Sequence, residues 1–380
     1  MGRFRRAATA VLAARFVPRL ASGPALGLAL GLSAGLVAPL SAAAQPSFVR
    51  TGDALDWRAA RLSGSDRLLL FSLLRDKPRG YREAALTVAR RQALTKDPGE
   101  RAYIAERRAS AFPVLSWDDN INGGLPGDGI VLGGVRFVPT EDAARAGVVL
   151  GLGGSGRLAW AVGDGVRVAL QAAATHVHAP EEDLSRSTAG ASACATRTTT
   201  GFAFVEGCLR LAAVDRDLSS TVSRRVELRG GRVFASALGD HELSLGIFRD
   251  DRDGVPQDGV TATLLTARGG LGALGASLSL GERVEGRGAV DLYGALWVTR
   301  EAAGGAPMRV SLSYARERGA RLLGSVARED RTVTASLSRP IADGLSATVG
   351  LTRRDSTIDG FGGTSLSLGL SFDGWSWSGR

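Results

Sequence analysis

Side chains that carry chemistry are scarce in this chain. Among 380 residues there are three histidines, His176, His178 and His241, and two cysteines, Cys194 and Cys208. Hydrolases built on strands need a nucleophile or paired carboxylates within reach of a histidine. Asp250 and Asp251 form such a pair beside His241 in sequence, but about nine extended residues span roughly 30 Å, which sends them to opposite ends of a strand. His176 and His178 share one strand face ahead of Glu181, Glu182 and Asp183, a set open to a metal. A solvated loop accounts for it more simply. The run 250–254 lacks the ligand spacing of a calcium loop. No enzyme, no metal and no cofactor is expected.

Two cysteines exclude a disulfide framework. Cys194 and Cys208 read as one staple across a strand pair or its loop, the form an oxidising compartment favours, with two buried free thiols as the alternative. A long apolar run is also missing from residue 45 onward, so any membrane insertion there is by strands, not helices. The first 44 residues differ. Arg3, Arg5, Arg6, Arg15 and Arg19 have no acidic partner and lead into an apolar run over 25–40 and the small-residue site Ala42-Ala43-Ala44. That order is a cleaved secretory signal, with the cut after Ala44. A retained anchor fits less well, because the run is shorter than the roughly 20 residues a span needs and Pro39 interrupts its end. The pair Arg5-Arg6 lacks the bulky residues that would follow in an Arg-pair export signal. Five of the formal +9 charges belong to this signal, and the remaining arginines are scattered among acids. No nucleic-acid partner is expected.

What the chain has in quantity is alternation. Val333, Ala335 and Leu337 alternate with Thr and Ser, as do Leu345, Ala347, Val349 and Leu351, and then Leu366, Leu368, Leu370 and Phe372. Successive side chains of a strand point to opposite faces, so each segment is oily on one side and polar on the other. A soluble sandwich with one wet face would alternate in the same way. Here the polar side is mostly Ser, Thr and Gly, small residues suited to a lumen. Glycine supplies 51 residues, about 13 % against a usual 7 % or so, and turn signals recur at 122–124, 163–165, 252–254 and 342–344. Candidate strands are 114–121, 130–138, 148–160, 166–177, 190–196, 202–214, 221–234, 242–248, 260–267, 273–280, 290–298 and 309–315, followed by the three alternating segments. Bacterial barrels have an even strand number with about ten residues per strand. Fourteen strands are therefore expected, and one of the fifteen candidates is wrong or split. Tyr314, Phe361, Phe372, Trp375 and Trp377 fall near predicted strand ends, where interfacial girdles belong.

Residues 45–111 carry helical spacing instead. Leu68, Leu69, Leu73 and Leu74 mark one helix, and Ala84, Ala85, Val88, Ala89 and Leu94 a second. Breaks at 76–80 and 97–99 separate these from a third helical piece over 100–109. Gly80-Tyr81, Ala84-Ala85, Ala93 and Pro98 resemble the second half of a tetratricopeptide repeat, and a single unit cannot bury its own face. A short periplasmic arm that packs on something else, such as the barrel mouth, is the better reading.

Charges inside the strands fix which face is wet. Arg225, Glu227 and Arg229 alternate with Val226 and Leu228, while Arg167 and Gln171 lie opposite Val166, Val168 and Leu170. A charge on the lipid face costs about 2–4 kcal/mol at mid-bilayer, so all five should face the lumen. There they either tune solute passage or hold the interior by internal salt bridges.

The segment Ser367-Leu368-Gly369-Leu370-Ser371-Phe372 resembles the strand signal read by the barrel-assembly machinery of the outer membrane, with Ser367, Gly369 and Phe372 at its marked positions; residues 373–380 follow it. The helical arm, the opening strand Ser116-Trp117-Asp118-Asp119-Asn120-Ile121-Asn122-Gly123-Gly124, and the ending Ser338-Arg339-Pro340, Arg353-Arg354-Asp355-Ser356 and Leu366 to Phe372 together resemble the surface lipoprotein assembly modifier family. That resemblance implies a periplasmic tetratricopeptide domain, here reduced to one unit at best, joined to an outer-membrane barrel that assists translocation or surface display of lipoproteins. The expected architecture is thus a mainly β chain: signal peptide 1–44, helical arm 45–111, and an antiparallel transmembrane β-barrel over 112–380. It would sit among outer-membrane lipids and engage a lipoprotein client. A porin-like passive channel for small polar solutes is the alternative.

Overall fold

A computed structural model describes residues 56–96, 100–126, 129–132, 134–139, 141–302, 305–322, 326–342 and 345–372. The expected signal peptide, the break at 97–99 and the segment 373–380 with Trp375 and Trp377 lie outside them.

Three short helices come first: α1 (Asp56–Ser63), α2 (Asp66–Asp76) and α3 (Tyr81–Arg91). The Ser65 hydroxyl accepts from Leu68 N at 3.2 Å and so satisfies one of the unpaired amides that begin α2. Lys77 ends α2 in the left-handed region, φ 48°, its amide donating to Leu73 O. Leu70, Leu73, Ala85, Val88 and Ala89 make the shared core of α2 and α3. The third helical piece expected over 100–109 is not a helix. β1 (Tyr103–Asp118) starts within it and pairs with β4 (Gly147–Gly163) from Tyr103↔Ala161 to Asp118↔Gly147. Ala, Glu and Arg favour a helix locally by tenths of a kcal/mol each; a full ladder of main-chain bonds to β4 overrides them. The same pairing moves the start of the barrel to Tyr103 from the expected residue 112.

From β4 onward the chain is a meander of antiparallel hairpins: β5 (Val166–Ala179), β6 (Leu184–Thr198), β7 (Ala203–Arg216), β8 (Ser220–Ser236), β9 (Gly239–Arg252), β10 (Val255–Arg268), β11 (Gly272–Gly281), β12 (Ala289–Glu301), β13 (Pro307–Leu322), β14 (Val326–Ala342), β15 (Leu345–Ser356) and β16 (Gly363–Phe372). β16 returns to β1, pairing Val114↔Ser371 through Ser116↔Gly369, and this closes a barrel of fourteen strands. The surplus candidate is the segment 130–138. It forms a separate hairpin, β2 (Ile130–Leu132) and β3 (Val135–Phe137), too short to cross a bilayer and outside the barrel order.

Closure gives every strand an inside and an outside. Val148, Leu150 and Leu152 on β4, Leu243, Leu245 and Ile247 on β9, Val349 and Leu351 on β15, and Leu366 and Leu368 on β16 are exposed large apolar residues on the outer wall. Their alternates face inward. No soluble monomer leaves so continuous an apolar surface in water. A soluble sandwich is excluded on the same ground, because the polar face is enclosed and the oily face is outside. Tyr314 lies mid-strand on this outer wall, since β13 runs on to Leu322. It is not at the strand end where the aromatic girdle was expected.

Candidate channel lumen

The two mouths of the barrel differ. At the end where β1 begins and β16 finishes, the connections are short, such as 164–165, 237–238 and 269–271, and the helices pack there against β8–β12. Ala59, Ala60 and Leu68 meet the inward-facing Val233 and Ala267. Around that small apolar contact the interface is ionic. Buried Asp56 accepts from Gly269 N at 2.7 Å, Arg75 ties Asp56, Asp76 and Asp240 together, and Ser72 donates to Asp240 at 2.6 Å. Arg67 pairs with Glu242 at 2.6 Å and stacks 3.7 Å from the Phe204 ring centre. The helices therefore sit in this mouth as a partial plug.

At the other end the described residues of the long connection 119–146 fold back over the opening. Ile121 is fully buried against the inner-face residues Val149, Val177 and Ala179. The Asn120 amide group donates to Gly124 O and accepts from Gly124 N, at 2.9 and 2.8 Å, and the Asn122 side chain donates to Ala143 O at 2.7 Å and accepts from Arg145 N at 3.0 Å. Farther out, Leu218 N donates to Asn122 O and Val131 N to Asp359 O. The Ser116–Gly124 stretch thus holds a loop across the mouth by its two asparagines.

Between the mouths, the wall from β1 through β9 carries charge. Glu106 accepts from Arg167 at 2.6 Å and forms an ion pair with Arg157 at 3.1 Å. Glu227 accepts from Arg210 at 3.0 Å and forms an ion pair with Arg225 at 3.4 Å, and the Arg225 guanidinium lies 3.8 Å from the Phe248 ring centre. Glu206 pairs with Arg229 and accepts from Thr196 at 2.9 Å. Arg167, Gln171, Arg225, Glu227 and Arg229 all take inner-face positions, opposite inner-face partners such as Ala161, Arg157, Arg210, Cys208 and Glu206. Glu106, Arg157, Glu206 and Arg210 were not singled out in the sequence. For Glu106 the signal was present in the alternation Glu106, Arg108, Ser110, Phe112, hidden by the helical reading of that stretch.

Cys194 and Cys208 face one another across β6 and β7 in a disulfide, on the same inner wall. Glu206 lies close enough to both sulfurs to complete a metal triad. With the two sulfurs bonded to each other, no thiolate is left to bind one.

The wall from β13 through β16 is different in kind. Over mid-strand its inner positions are Ser311, Ser313, Thr334, Ser336, Thr348, Gly350, Thr352, Ser365, Ser367 and Gly369, with charges such as Arg309, Asp330 and Arg354 confined to the strand ends. Hydroxyls pair across strands, Ser311 with Ser336 at 2.6 Å, Thr334 with Thr352 at 3.1 Å and Thr348 with Ser338 at 3.1 Å. Ser367 donates to Gly350 O at 3.3 Å and Gly369 lies inward opposite Thr348, while of Phe372 only the backbone pairing with Leu345 is described. On β11, beyond β12, Gly275 is required: a Cβ there would come within 2.0 Å of the Trp297 ring, which lies across it.

His241 lies near the start of β9 and Asp250 and Asp251 near its end, so the structure does not bring them together. His176 and His178 are on the outer wall opposite Leu152 and Leu150, and hydrogen-bond to Ser187 and Ser185 at 2.9 and 3.2 Å. His178 comes only within 4.0 Å of Asp183.

A closed strand wall, oily outside and polar inside, is the all-strand solution to spanning a bilayer. The chain is a closed, fourteen-strand transmembrane β-barrel. No protein-family model and no curated protein matches it by sequence. Among solved structures, it is similar to outer membrane protein OpdK of Pseudomonas aeruginosa, at 9 % identity and TM-score 0.37, over 72 % of this chain and 99 % of that one. OccK9 (OpdG) of the same organism gives 9 % and 0.38 over 73 % and 98 %, and OccAB4 of Acinetobacter baumannii 6 % and 0.36 over 74 % and 100 %. Likenesses at this level say nothing about function.

Proposed function

We propose that the barrel is a passive, porin-like channel for small polar solutes, with the helical plug at its periplasmic mouth and the loop 119–146 at its outer one. The observation that carries this reading is the size of the side chains on β13–β16. An eight-strand barrel is just filled by its own side chains, while more strands enclose a wider lumen. Ser, Thr and Gly cannot reach across fourteen strands, and the opposing arginines are held back against their own wall by glutamates. The space between is lined mainly by polar groups, with a few aromatic rings such as Phe248 and Trp297 among them, and fills with water.

Assistance to surface lipoproteins, the role implied by the family resemblance, draws less support. Most apolar residues of α2 and α3 that could grip a client are spent on the helix core and the barrel mouth, with Leu74 and Leu86 alone left as separate exposed leucines. The test is conductance. Full-length protein refolded into planar bilayers is expected to give stable open-channel steps, and proteoliposomes to swell in a small neutral sugar. A correctly folded barrel, heat-modifiable on gels but silent in both assays, overturns the channel reading.

A further inference from the structure

We infer that Cys194, Cys208 and Glu206 form a redox-gated site for a soft divalent cation of the Zn2+ class on the inner wall, closed while the two sulfurs are bonded and open once they are reduced. The site goes beyond the channel reading and stands whether or not the lumen conducts. Register brings the donors together. Cys194 and Cys208 are direct partners on β6 and β7, with Cα atoms 4.1 Å apart, and two residues farther along the same face Thr196 is opposite Glu206. Side chains that leave one face of a strand pair at one level can both reach a single ion. Glu206 Oε1 lies 3.4 Å from Cys208 Sγ, and the three ligand atoms all lie within 4.8 Å of one another. The β6–β7 ladder runs from Arg186↔Arg216 to Thr198↔Phe204 and joins these strands without the cystine, so opening the bond leaves the donors side by side.

The donor set selects the ion. Two thiolates and a carboxylate suit Zn2+ or Cd2+, whereas Mg2+ and Ca2+ take oxygen ligands. Three protein ligands leave the fourth tetrahedral position to lumen water, so the site is open, not sealed. Glu206 is already oriented beside the sulfurs, because Thr196 donates to it at 2.9 Å and Arg229 pairs with it. Glu227, opposite Cys208 on β8, is matched by Arg210 and Arg225, and Arg225 also faces Asp250. The oxidised wall therefore offers a cation no unmatched acid. The two thiolates supply the two negative charges that a divalent ion needs. Opening is a two-electron step: two molecules of a small monothiol of the glutathione class each give one electron and one proton, their own sulfurs join in a new disulfide, and the cystine becomes two thiols. Cys194, half-buried on the inner wall, is the sulfur the first thiolate attacks. A Zn2+ ion then binds both sulfurs and releases their protons to water.

The experiment uses the refolded full chain in detergent, reduced with glutathione, freed of the reductant and titrated with Cd2+ as the optical probe for the Zn2+ class. The reduced protein is expected to show the ultraviolet charge-transfer band of a cadmium thiolate, and the oxidised protein none. Zn2+ should displace the probe and Mg2+ should not. In C194S/C208S the band should vanish, and in E206Q the dissociation constant should rise by about tenfold. Heat-modifiable migration confirms that each variant is a folded barrel. Binding by the reduced parent no tighter than by C194S/C208S overturns the site. Equal binding by the oxidised parent, or a cystine that glutathione leaves intact, overturns the redox gate. An E206Q affinity equal to that of the parent overturns the three-ligand assignment. Because the readout is optical, silence in planar bilayers would overturn the channel reading alone.

Discussion

The two halves of the lumen wall solve one problem in different ways. A lumen wall between the mouths must be largely polar and must also leave room, and the arc β13–β16 does this with short hydroxyls while the arc β1–β9 does it with long arginines folded onto glutamates. Their outer faces are alike, a row of exposed Val and Leu. The difference is in how much each residue depends on its neighbours. A serine beside water replaces one lost partner with another at little cost, whereas a glutamate 6 % exposed between two guanidiniums has no substitute for them. The charged arc should therefore be both the selective half and the brittle half.

The largest break in that contrast is Glu227→Leu. It removes the carboxylate that Arg210 and Arg225 share and leaves two cations facing each other across one register pair. Removing one partner of a fully buried pair costs about 3–5 kcal/mol, and partial exposure of both arginines brings the expected loss toward about 3 kcal/mol. The urea midpoint of the barrel refolded in lipid vesicles checks it. A midpoint equal to that of the parent would mean that water, not Glu227, compensates the arginines.

Next in size is the disulfide. Cys194 and Cys208 close a loop spanning fourteen positions of sequence, for which chain-entropy estimates reach about 3 kcal/mol. The β6–β7 ladder already holds the same ends together, so C194S/C208S is expected to lose about 2 kcal/mol in the same urea assay. Reduction of the parent protein should reproduce that loss. If neither treatment moves the midpoint, the strand ladder alone sets the stability of the charged arc.

How legible these halves were in the sequence follows from the reach of each interaction. The hydroxyl arc was readable because its signal is local: the alternation in 332–338, 345–352 and 365–372 is the strand itself, and the structure pairs those segments in sequence order. Arg225, Glu227 and Arg229 were readable for the same reason. The Glu106 group was not, because Glu106, Arg157 and Arg167 lie on three strands and meet only through the β1–β4–β5 register. Its strand was further disguised by Ala, Glu and Arg, which score as helix until a neighbour supplies the ladder. The hairpin 130–138 erred in the opposite direction. It has β-branched residues and a turn, but nothing local distinguishes a loop hairpin from a barrel strand. The plug was legible as helices and illegible as a plug, since Asp240 and Glu242, which bind it, are about 170 residues away in sequence.

The smallest expected effect sharpens the comparison from the other side. Ser336→Ala removes the 2.6 Å hydrogen bond to Ser311 and nothing else of note. A net hydrogen bond between neutral groups contributes about 0.5–1.5 kcal/mol, and the freed Ser311 hydroxyl turns to lumen water, so the loss should be about 0.5 kcal/mol. Ion preference should not change, because the residue carries no charge and lies on the neutral arc. If S336A instead destabilised the barrel as much as E227L does, the cross-strand hydroxyls would be a cooperative network closed to water. The lumen beside β13–β16 would then be packed, not open, and the size argument for a channel would fall with it.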